Sequence, residues 1–178
     1  MKTTLLKYIT TLGVTSLLSL THADTLYWNS PADNSDWDGS SNLWNTASDG
    51  TGSSASWTSG DDAVLTASSD SSSRLDVDGT QVVNSITFNK DYQIRAGASP
   101  LLELGAGGIS GTGDGQIRVQ TTLTASQSWT SADLDVYSNE FNINGHTLTH
   151  DTGNQNFMQI GAYWAGTGTI ELLSGSIR

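Results

Sequence analysis

Paired aspartates are the first residues in this sequence that could carry out chemistry. The pairs are Asp61 with Asp62, Asp76 with Asp78, and Asp133 with Asp135. In the last two pairs one residue separates the acids, so both carboxyl groups share a face if the segment is a strand. Two carboxyl groups on one face can act as the acid and base of glycoside hydrolysis. A solvated face that raises solubility requires no further residues, and we predict that role for these pairs.

Two glycine-containing runs resemble calcium-binding loops. Asn34–Gly39 has the spacing of the first half of an EF-hand loop, but the twelfth position is Asn45 instead of glutamate. Gly111–Gly115 resembles a calcium-binding nonapeptide without its tandem copies. Asp and Asn followed by Gly also form turns in the absence of any metal. We therefore predict structural turns at both places, with no metal site and no other cofactor.

Histidines and cations could support other kinds of catalysis. His146 and His150 are four residues apart and Asp151 follows them, but no G-x-S-x-G segment supplies an activated serine. Exposed turn positions are the ordinary interpretation of these histidines. A lyase needs clustered cations, whereas those that follow Ala23 are scattered along the sequence: Arg74, Lys90, Arg95, Arg118 and Arg178. The sequence predicts no catalytic residue, and only an acid and base cluster on one parallel face would favour an enzyme.

Four tryptophans lie close together in the N-terminal part of the chain: Trp28, Trp37, Trp44 and Trp57. Their rings could stack on the apolar faces of a glycan while neighbouring Asn and Asp bind its hydroxyl groups. They could instead cover the apolar end of a repeat structure that would otherwise face water. The small residues between them favour the second interpretation, and glycan stacking is kept as the alternative. Trp129 and Trp164 are predicted to be core residues.

Composition limits the classes of protein to which this chain can belong. Its 178 residues include 18 acidic and 7 basic side chains, which give a formal net charge of −11. This balance argues against nucleic acid as a partner, because binding phosphates requires clustered Lys and Arg. The absence of cysteine excludes disulfides, thiolate zinc sites and thiol catalysis. A hydrophobic fraction of 35% suits a β-rich protein with short strands and many turns.

The segment Met1–Ala23 has the pattern of a secretory signal peptide. Lys2 and Lys7 give a basic start, and the apolar stretch 8–20 is too short to span a bilayer. Thr21 and Ala23 fit the small-residue subsites of signal peptidase, so we expect cleavage before Asp24. Loss of both lysines changes the net charge to −13. We expect an exported protein, extracellular or on the outer cell surface, with no membrane-spanning segment in the mature chain.

The mature chain divides into two regions. Residues 24–66 are rich in tryptophan and turn residues, and we expect an N-terminal cap there. Residues 67–178 contain short segments in which apolar and polar residues alternate, as they do in strands. These segments are 75–77, 83–88, 92–94, 102–104, 117–119, 134–136, 141–143 and 170–172. Because no segment after the signal has a helical period, the predicted fold class is all-β.

Two all-β architectures fit this pattern. A β-sandwich is indicated by three turn signals that are typical of hairpins: Asp78-Gly79, Asp114-Gly115 and Asn144-Gly145. A parallel β-helix is favoured by the shortness of the apolar segments and by the similar turns at 107–113 and 166–170. Ile86, Leu102 and Ile117 also recur at nearly equal spacing. We predict the parallel β-helix and keep the β-sandwich as the alternative.

The order of motifs resembles a known family of exported bacterial proteins. The motifs are Trp37-Asp38-Gly39, Leu43-Trp44-Asn45, the run 57–65 (WTSGDDAVL), Val83–Phe88, Tyr92–Ile94 and Leu102–Leu104. Together they are similar to the opening of autotransporter-associated β-strand repeat proteins, and the resemblance covers nearly the whole mature chain. It implies a right-handed parallel β-helix on a secreted or cell-surface protein. The chain departs from that family in having few clean repeats and no translocator barrel or sorting tail.

These features predict a structural, adhesin-like surface protein without catalytic activity. A carbohydrate-binding module built on the four tryptophans is the alternative, and a β-helical polysaccharide-degrading enzyme is the third hypothesis. The expected partners are extracellular glycans or further β-helix repeats or chains. The last segment, Ile170–Arg178, still alternates like a strand. We therefore expect a truncated solenoid that is open at this end and associates through the exposed strand edge.

Overall fold

The computed structural model describes residues 23–28, 35–66, 73–131, 133–138, 140–151, 157–160, 164–174 and 176–177. Residues 1–22 of the predicted signal peptide, Asn34 of the calcium-like run and Arg178 lie outside the described residues. The strands are β1 Thr25–Trp28, β2 Ser35–Trp37, β3 Trp44–Asn45, β4 Ser54–Ala55, β5 Asp62–Leu65, β6 Arg74–Val77, β7 Thr80–Phe88, β8 Tyr92–Ala96, β9 Leu101–Gly111, β10 Asp114–Arg118, β11 Thr121–Leu123, β12 Gln127–Trp129, β13 Asp133–Val136, β14 Phe141–Asn142, β15 Thr147–Asp151, β16 Phe157–Ile160, β17 Trp164–Ala165, β18 Thr169–Ser174 and β19 Ser176–Ile177. The all-β prediction is confirmed. Nowhere in these ranges does a helix have the length and apolar character that crossing a bilayer requires.

The strands form two sheets in which most of the pairing is parallel. Sheet 1 has twelve strands and sheet 2 has seven. Sheet 2 consists of β2, β6, β8, β10, β13, β16 and β19, each parallel to the next. In sheet 1, β7 and β9 are long single strands, and later coils divide the same path between two strands such as β11 and β12. The result is a parallel β-solenoid of about four turns. The predicted β-helix is therefore confirmed, and the β-sandwich alternative is wrong.

Each of these coils contributes one strand to sheet 2 and two segments to sheet 1, so the solenoid has three sides. Ile86 pairs with Ile109 on one side of sheet 1. Ile117 pairs with Val136 in sheet 2. Leu102 belongs to the other segment of sheet 1, near the start of β9. Ile86, Leu102 and Ile117 thus lie on three different sides of the solenoid, and our interpretation of their spacing as one repeat is wrong.

The three Asx-Gly dipeptides are not hairpin turns. Gly79 has a φ of 65° and lies at the corner between β6 of sheet 2 and β7 of sheet 1. Asn144 and Gly145 have φ values of 54° and 81° and turn the chain between β14 and β15, both in sheet 1. Asp114 and Gly115 are inside β10. These sequences therefore form coil corners or strand positions, whereas the antiparallel pairs in the described chain are β1 with β3 and β3 with β4.

The core consists of stacks of inward-facing apolar side chains. Alternate residues of a strand point inward, so residues in register on successive parallel strands pack on one another. Leu75, Ile94, Ile117 and Val136 form one such stack in sheet 2, and all four are fully buried. Burying each of these side chains stabilises the fold by roughly 1.5–3 kcal/mol. The stack fixes the register of sheet 2, and with it the positions of the residues on its other face.

The solenoid begins inside the region that we expected to be a separate cap. β1 pairs in parallel with β5, and β2 pairs in parallel with β6, so β1 and β2 already follow the coil path. The predicted boundary after residue 66 does not separate two kinds of strand pairing. β3 and β4 add antiparallel strands beyond β1, on the side away from β5. Residues 24–66 therefore supply both the first strands of the solenoid and the strands that cover them.

The other end of the solenoid is formed by β17, β18 and β19. β18 pairs with β15, and no other described strand lies along its second edge. Leu172 and Leu173 in β18 are exposed. An uncovered strand edge can pair with another chain, and association of this protein through β18 stays a prediction.

Candidate functional site

The outer face of sheet 2 carries a dense set of charged and amide side chains. In strands β6 and β13, half-buried residues alternate with buried ones. In β10, the residues between the buried ones are exposed or half-buried. The polar residues of these strands therefore point away from the core. We define this outer face by Arg74, Asp76, Gln93, Arg95, Asp114, Gln116, Arg118, Asp133, Asp135 and Tyr137. The inward stacks hold these side chains on a regular grid, because parallel strands are about 4.8 Å apart.

Three arginines that are distant in the sequence, Arg74, Arg95 and Arg118, lie on this outer face. Asp76 is in register with Arg95, and Arg95 is in register with Arg118 on the next strand. Arg74 is in register with Gln93 of the neighbouring strand. These three cations, although scattered along the sequence, therefore share one face. Sequence distance concealed this arrangement, because each coil returns the chain to the same face.

Arg118, Tyr137 and Asp135 form a compact group at one side of the outer face. The guanidinium carbon of Arg118 lies 5.5 Å from the centre of the Tyr137 ring, which is the geometry of a cation–π contact. The Tyr137 hydroxyl interacts with the Asp135 carboxyl group. Burial raises the pKa of Asp135, and the Tyr137 hydroxyl and the Arg118 charge oppose that rise. Tyr137 is 37% exposed, so this group offers solvent an aromatic ring, a cation and a carboxylate together.

Three aspartates lie beside one another at the edge of the same face. The Asp114 amide donates to Asp91 Oδ1 over 2.9 Å, and Asp114 is in register with Asp133. Burial raises the pKa of Asp114, and the charges of Asp91 and Asp133 raise it further. Burial and the charge of Asp135 likewise raise the pKa of Asp133. An open groove of about 130 Å³ adjoins this cluster, lined by Asp91, Tyr92, Gln93, Asp114 and Gln116.

Burial of Asp133 and the charge of Asp135 predict a pH-dependent effect of Asp133→Asn. The folded protein binds the Asp133 proton more tightly than the unfolded chain does, so its ionisation destabilises the fold as pH rises above the ordinary value of 3.8. At pH 7 the variant is expected to gain up to about 1 kcal/mol, discounted for solvent screening. Near pH 3 the gain should vanish, because the wild-type carboxyl is then also neutral.

Urea unfolding of both proteins across this pH range measures the difference in stability directly. Asp49→Asn is the matched control, because hydrogen bonds from the Thr51 side chain and amide lower the pKa of Asp49. The control variant should not be stabilised at pH 7. A gain for Asp133→Asn that is the same at pH 3 and pH 7 would show that the ionisation of Asp133 is not its cause.

The four N-terminal tryptophans pack against one another inside the protein. Their exposed fractions are 1% for Trp28, 0% for Trp37, 2% for Trp44 and 4% for Trp57. Trp37 lies 5.2 Å from Trp44 and 4.8 Å from Trp57 between ring centres, and both pairs meet edge to face. No ring face is open to a sugar, so in this structure the four tryptophans do not form a glycan-stacking platform. They fill the space between β1, β2 and the segment that carries β3 and β4.

The calcium-like run contains a turn whose carboxylate is already occupied. Asp38 Oδ1 accepts hydrogen bonds from the amides of Ser40 and Ser41 over 2.8 and 2.5 Å, and Oδ2 accepts from the Ser41 hydroxyl. Burial acts to raise the pKa of Asp38, but these hydrogen bonds outweigh it and lower the pKa. The predicted turn is therefore present at Asp38. Within the described part of the chain, no group of three or more His, Asp or Glu side chains could hold a metal ion.

The two histidines occupy different environments. His146 is half-buried beside the Asn144-Gly145 turn, and Asp151 is exposed at the end of β15. His150 is fully buried, in register with Trp129 on one side and Leu172 on the other. Our interpretation of both histidines as exposed turn residues is wrong for His150. The alternation of β15 explains the difference, because Leu148 and His150 both point inward.

Comparison of the chain with family models, curated proteins and solved structures finds no match. The resemblance to autotransporter-associated β-strand repeat proteins therefore remains an expectation from the sequence.

Proposed function

We propose that this chain is an exported, adhesin-like surface protein whose β-solenoid presents the outer face of sheet 2 to extracellular glycans without transforming them. The observation that carries this proposal is the regular placement of Arg118, Asp135 and Tyr137 beside the half-buried Gln93 and Gln116. The export part rests on the signal-peptide pattern of Met1–Ala23.

The chemistry of this face suits a polyhydroxylated ligand. Planar amide, guanidinium and carboxylate groups can each bind two neighbouring hydroxyl groups, as donors or acceptors. The exposed part of the Tyr137 ring offers an apolar surface for the carbon-bound hydrogens of a sugar. The strand spacing of about 4.8 Å is similar to the length of one sugar unit in a chain. The negative net charge of the protein disfavours acidic polymers, so we expect neutral glycans to bind best.

Polysaccharide cleavage on the same face is the second candidate function. One specific observation favours it, because carboxyl groups with raised pKa values and three arginines share one parallel face. A carboxyl that holds its proton at higher pH is suited to general acid catalysis. The release of reducing ends from each bound polysaccharide separates cleavage from presentation. If the wild-type protein releases reducing ends and Asp133→Asn does not, cleavage replaces presentation as the proposed function.

Binding of the exported protein to a panel of neutral and acidic polysaccharides tests the presentation proposal. We expect Tyr137→Ala and Arg118→Ala each to weaken binding to the best ligand at least about tenfold, as truncation of aromatic and arginine contacts does in other interfaces. Asp49→Asn changes an exposed residue outside this face and should leave binding unchanged. Equal affinities for all four proteins, or no binding to any member of the panel, would contradict the assignment.

A further inference from the structure

Asp61 is a buried carboxylate that has no cationic side chain beside it among the residues the structure describes. The residue is 6% exposed and immediately precedes β5. Its Oδ1 accepts a hydrogen bond from the Asp24 amide over 3.1 Å, and its Oδ2 accepts from the Thr58 amide over 3.2 Å. Among the described residues, no lysine, arginine or histidine forms an ion pair with it. Burial raises the pKa of Asp61, hydrogen bonds from Asp24 and Thr58 oppose this rise, and the charges of Asp24 and Asp62 add to it.

The Asp24 nitrogen is held at this carboxylate by the pairing of β1 with β5. The Asp62 amide donates to the Asp24 carbonyl over 2.8 Å, and Thr25 is in register with Asp62. Asp62 Oδ1 instead accepts hydrogen bonds from Asn84 Nδ2 and the Ser85 hydroxyl of β7 over 2.7 and 2.6 Å. The position of the Asp24 nitrogen therefore depends on the solenoid itself.

A cavity of about 400 Å³ lies against this contact and leaves room for a charged terminus and water. Its lining consists of Asp24, Thr25, Leu26, Thr46, Ala55, Ser56, Thr58 and Asp61. Apart from the two aspartates, every lining side chain is uncharged. In the described part of the chain, the charged groups that face the Asp24 nitrogen are thus carboxylates, those of Asp24 and Asp61 with Asp62 nearby. A positive charge at this nitrogen would neutralise part of a purely negative cluster.

The bond before this nitrogen is the one at which the sequence predicts signal-peptide cleavage. Hydrolysis of the Ala23–Asp24 amide by signal peptidase adds the hydroxyl of water to the Ala23 carbonyl carbon and a proton to the Asp24 nitrogen. The resulting amine takes a second proton from solvent and becomes an α-ammonium group. We infer that this new terminus forms an ion pair with Asp61, so that removal of the signal peptide completes the N-terminal end of the solenoid. This inference rests on the proposed export.

The ion pair has a defined pH dependence. An unperturbed α-amino group has a pKa of about 7.7–8.0, and the neighbouring carboxylates raise it in the folded state. The stabilisation is therefore fully present below the unfolded value and is lost as pH rises through the raised folded value. A chain that begins at Ala23 carries the same terminal charge, but one residue before Asp24. It is therefore the matched control.

The test compares chains that begin at Asp24 and at Ala23, each with Asp61 and with Asp61→Asn. At pH 7 we expect the wild-type Asp24 chain to have an unfolding equilibrium constant about tenfold smaller than the Ala23 chain, equivalent to a shift of one pKa unit. The advantage should disappear at pH 10 and in Asp61→Asn. The pH dependence of acetylation of the terminal amine, followed by mass spectrometry, should give a raised pKa only for the wild-type Asp24 chain.

The intact mass of exported protein distinguishes failure of the ion pair from failure of the export proposal. A terminus other than Asp24 would contradict the processing step. A terminus at Asp24 with an ordinary amine pKa, and with a stability equal to that of the Ala23 chain, would leave export intact and overturn the ion pair. A raised amine pKa that persists in Asp61→Asn would also overturn it, because the carboxylate would then not be the cause.

Discussion

Replacing Gly111 with alanine is expected to destabilise the protein by about 3–5 kcal/mol, the combined scale of backbone strain and overpacking. Gly111 ends β9 with a φ of 127°, a region that side chains rarely adopt. An added Cβ would lie 2.0 Å from the carbonyl oxygen of Phe88 and 2.6 Å from its carbonyl carbon. Phe88 is in register with Gly111, so its backbone cannot retreat without breaking the pairing of β7 with β9.

Two other glycines separate the causes of this loss. Gly60→Ala would place a Cβ in open space but at a φ of 94°, so it should cost only backbone strain, about 1 kcal/mol. Gly39→Ala also has open space, without a positive φ, and should be close to neutral. Thermal and urea unfolding of the three variants should therefore rank them in that order. If Gly111→Ala were as stable as Gly39→Ala, the close approach of β9 to β7 would be contradicted.

Replacing Trp37 with alanine is expected to cost about 3–5 kcal/mol, the usual range for a buried aromatic side chain. Trp37 is completely buried, and its ring contacts those of Trp44 and Trp57 edge to face. Its removal would leave a cavity between β2 and the strands that cover the first coil. Because the four rings form one cluster, the near-ultraviolet circular dichroism should also lose intensity.

Leu43→Ala is the control for Trp37→Ala, because Leu43 adjoins the same cluster in sequence but is exposed. It should change the free energy of unfolding by less than about 0.5 kcal/mol. Equal unfolding midpoints for the two variants would show that the tryptophans do not close this end of the solenoid. A tryptophan variant that lost glycan binding without losing stability would instead revive the stacking hypothesis.

The alternation of apolar residues was sufficient to predict the fold class and the inward residues. Leu75, Ile94 and Ile117 were each recognisable as an apolar residue of a short alternating segment, because the period of two is a local property of the backbone. The coil period was not recognisable in the same way. Corners of different length separate the strands, so the interval from Ile117 to its in-register partner Val136 is shorter than the interval from Ile86 to Ile109.

The candidate site could not be predicted from the sequence, because its residues are brought together by the strand register, which the sequence did not reveal. Arg95 and Arg118 are separated by a full coil in the sequence, yet they are adjacent on the outer face of sheet 2. The interpretation of His150 as an exposed residue was wrong for a related reason. It relied on the polar side chain, although His150 lies two residues after the apolar Leu148 and so shares its inward face. For the tryptophan cluster, the sequence showed that four aromatic residues lie close together, but it did not show whether their ring faces are open to solvent. Charge and aromaticity identify candidate residues, whereas only the coil register places them.

Ligand binding at the outer face of sheet 2 is tested most directly by fluorine NMR of the protein labelled with 3-fluorotyrosine. The Tyr137 signal is assigned by its absence from Tyr137→Phe, and Tyr27 in β1 of sheet 1 provides an internal reference away from this face. On titration with the polysaccharide that binds best, the Tyr137 signal is expected to shift and saturate at the measured affinity while the Tyr27 signal stays in place. A saturating complex in which the Tyr137 signal does not move would place the ligand elsewhere and contradict the proposed function.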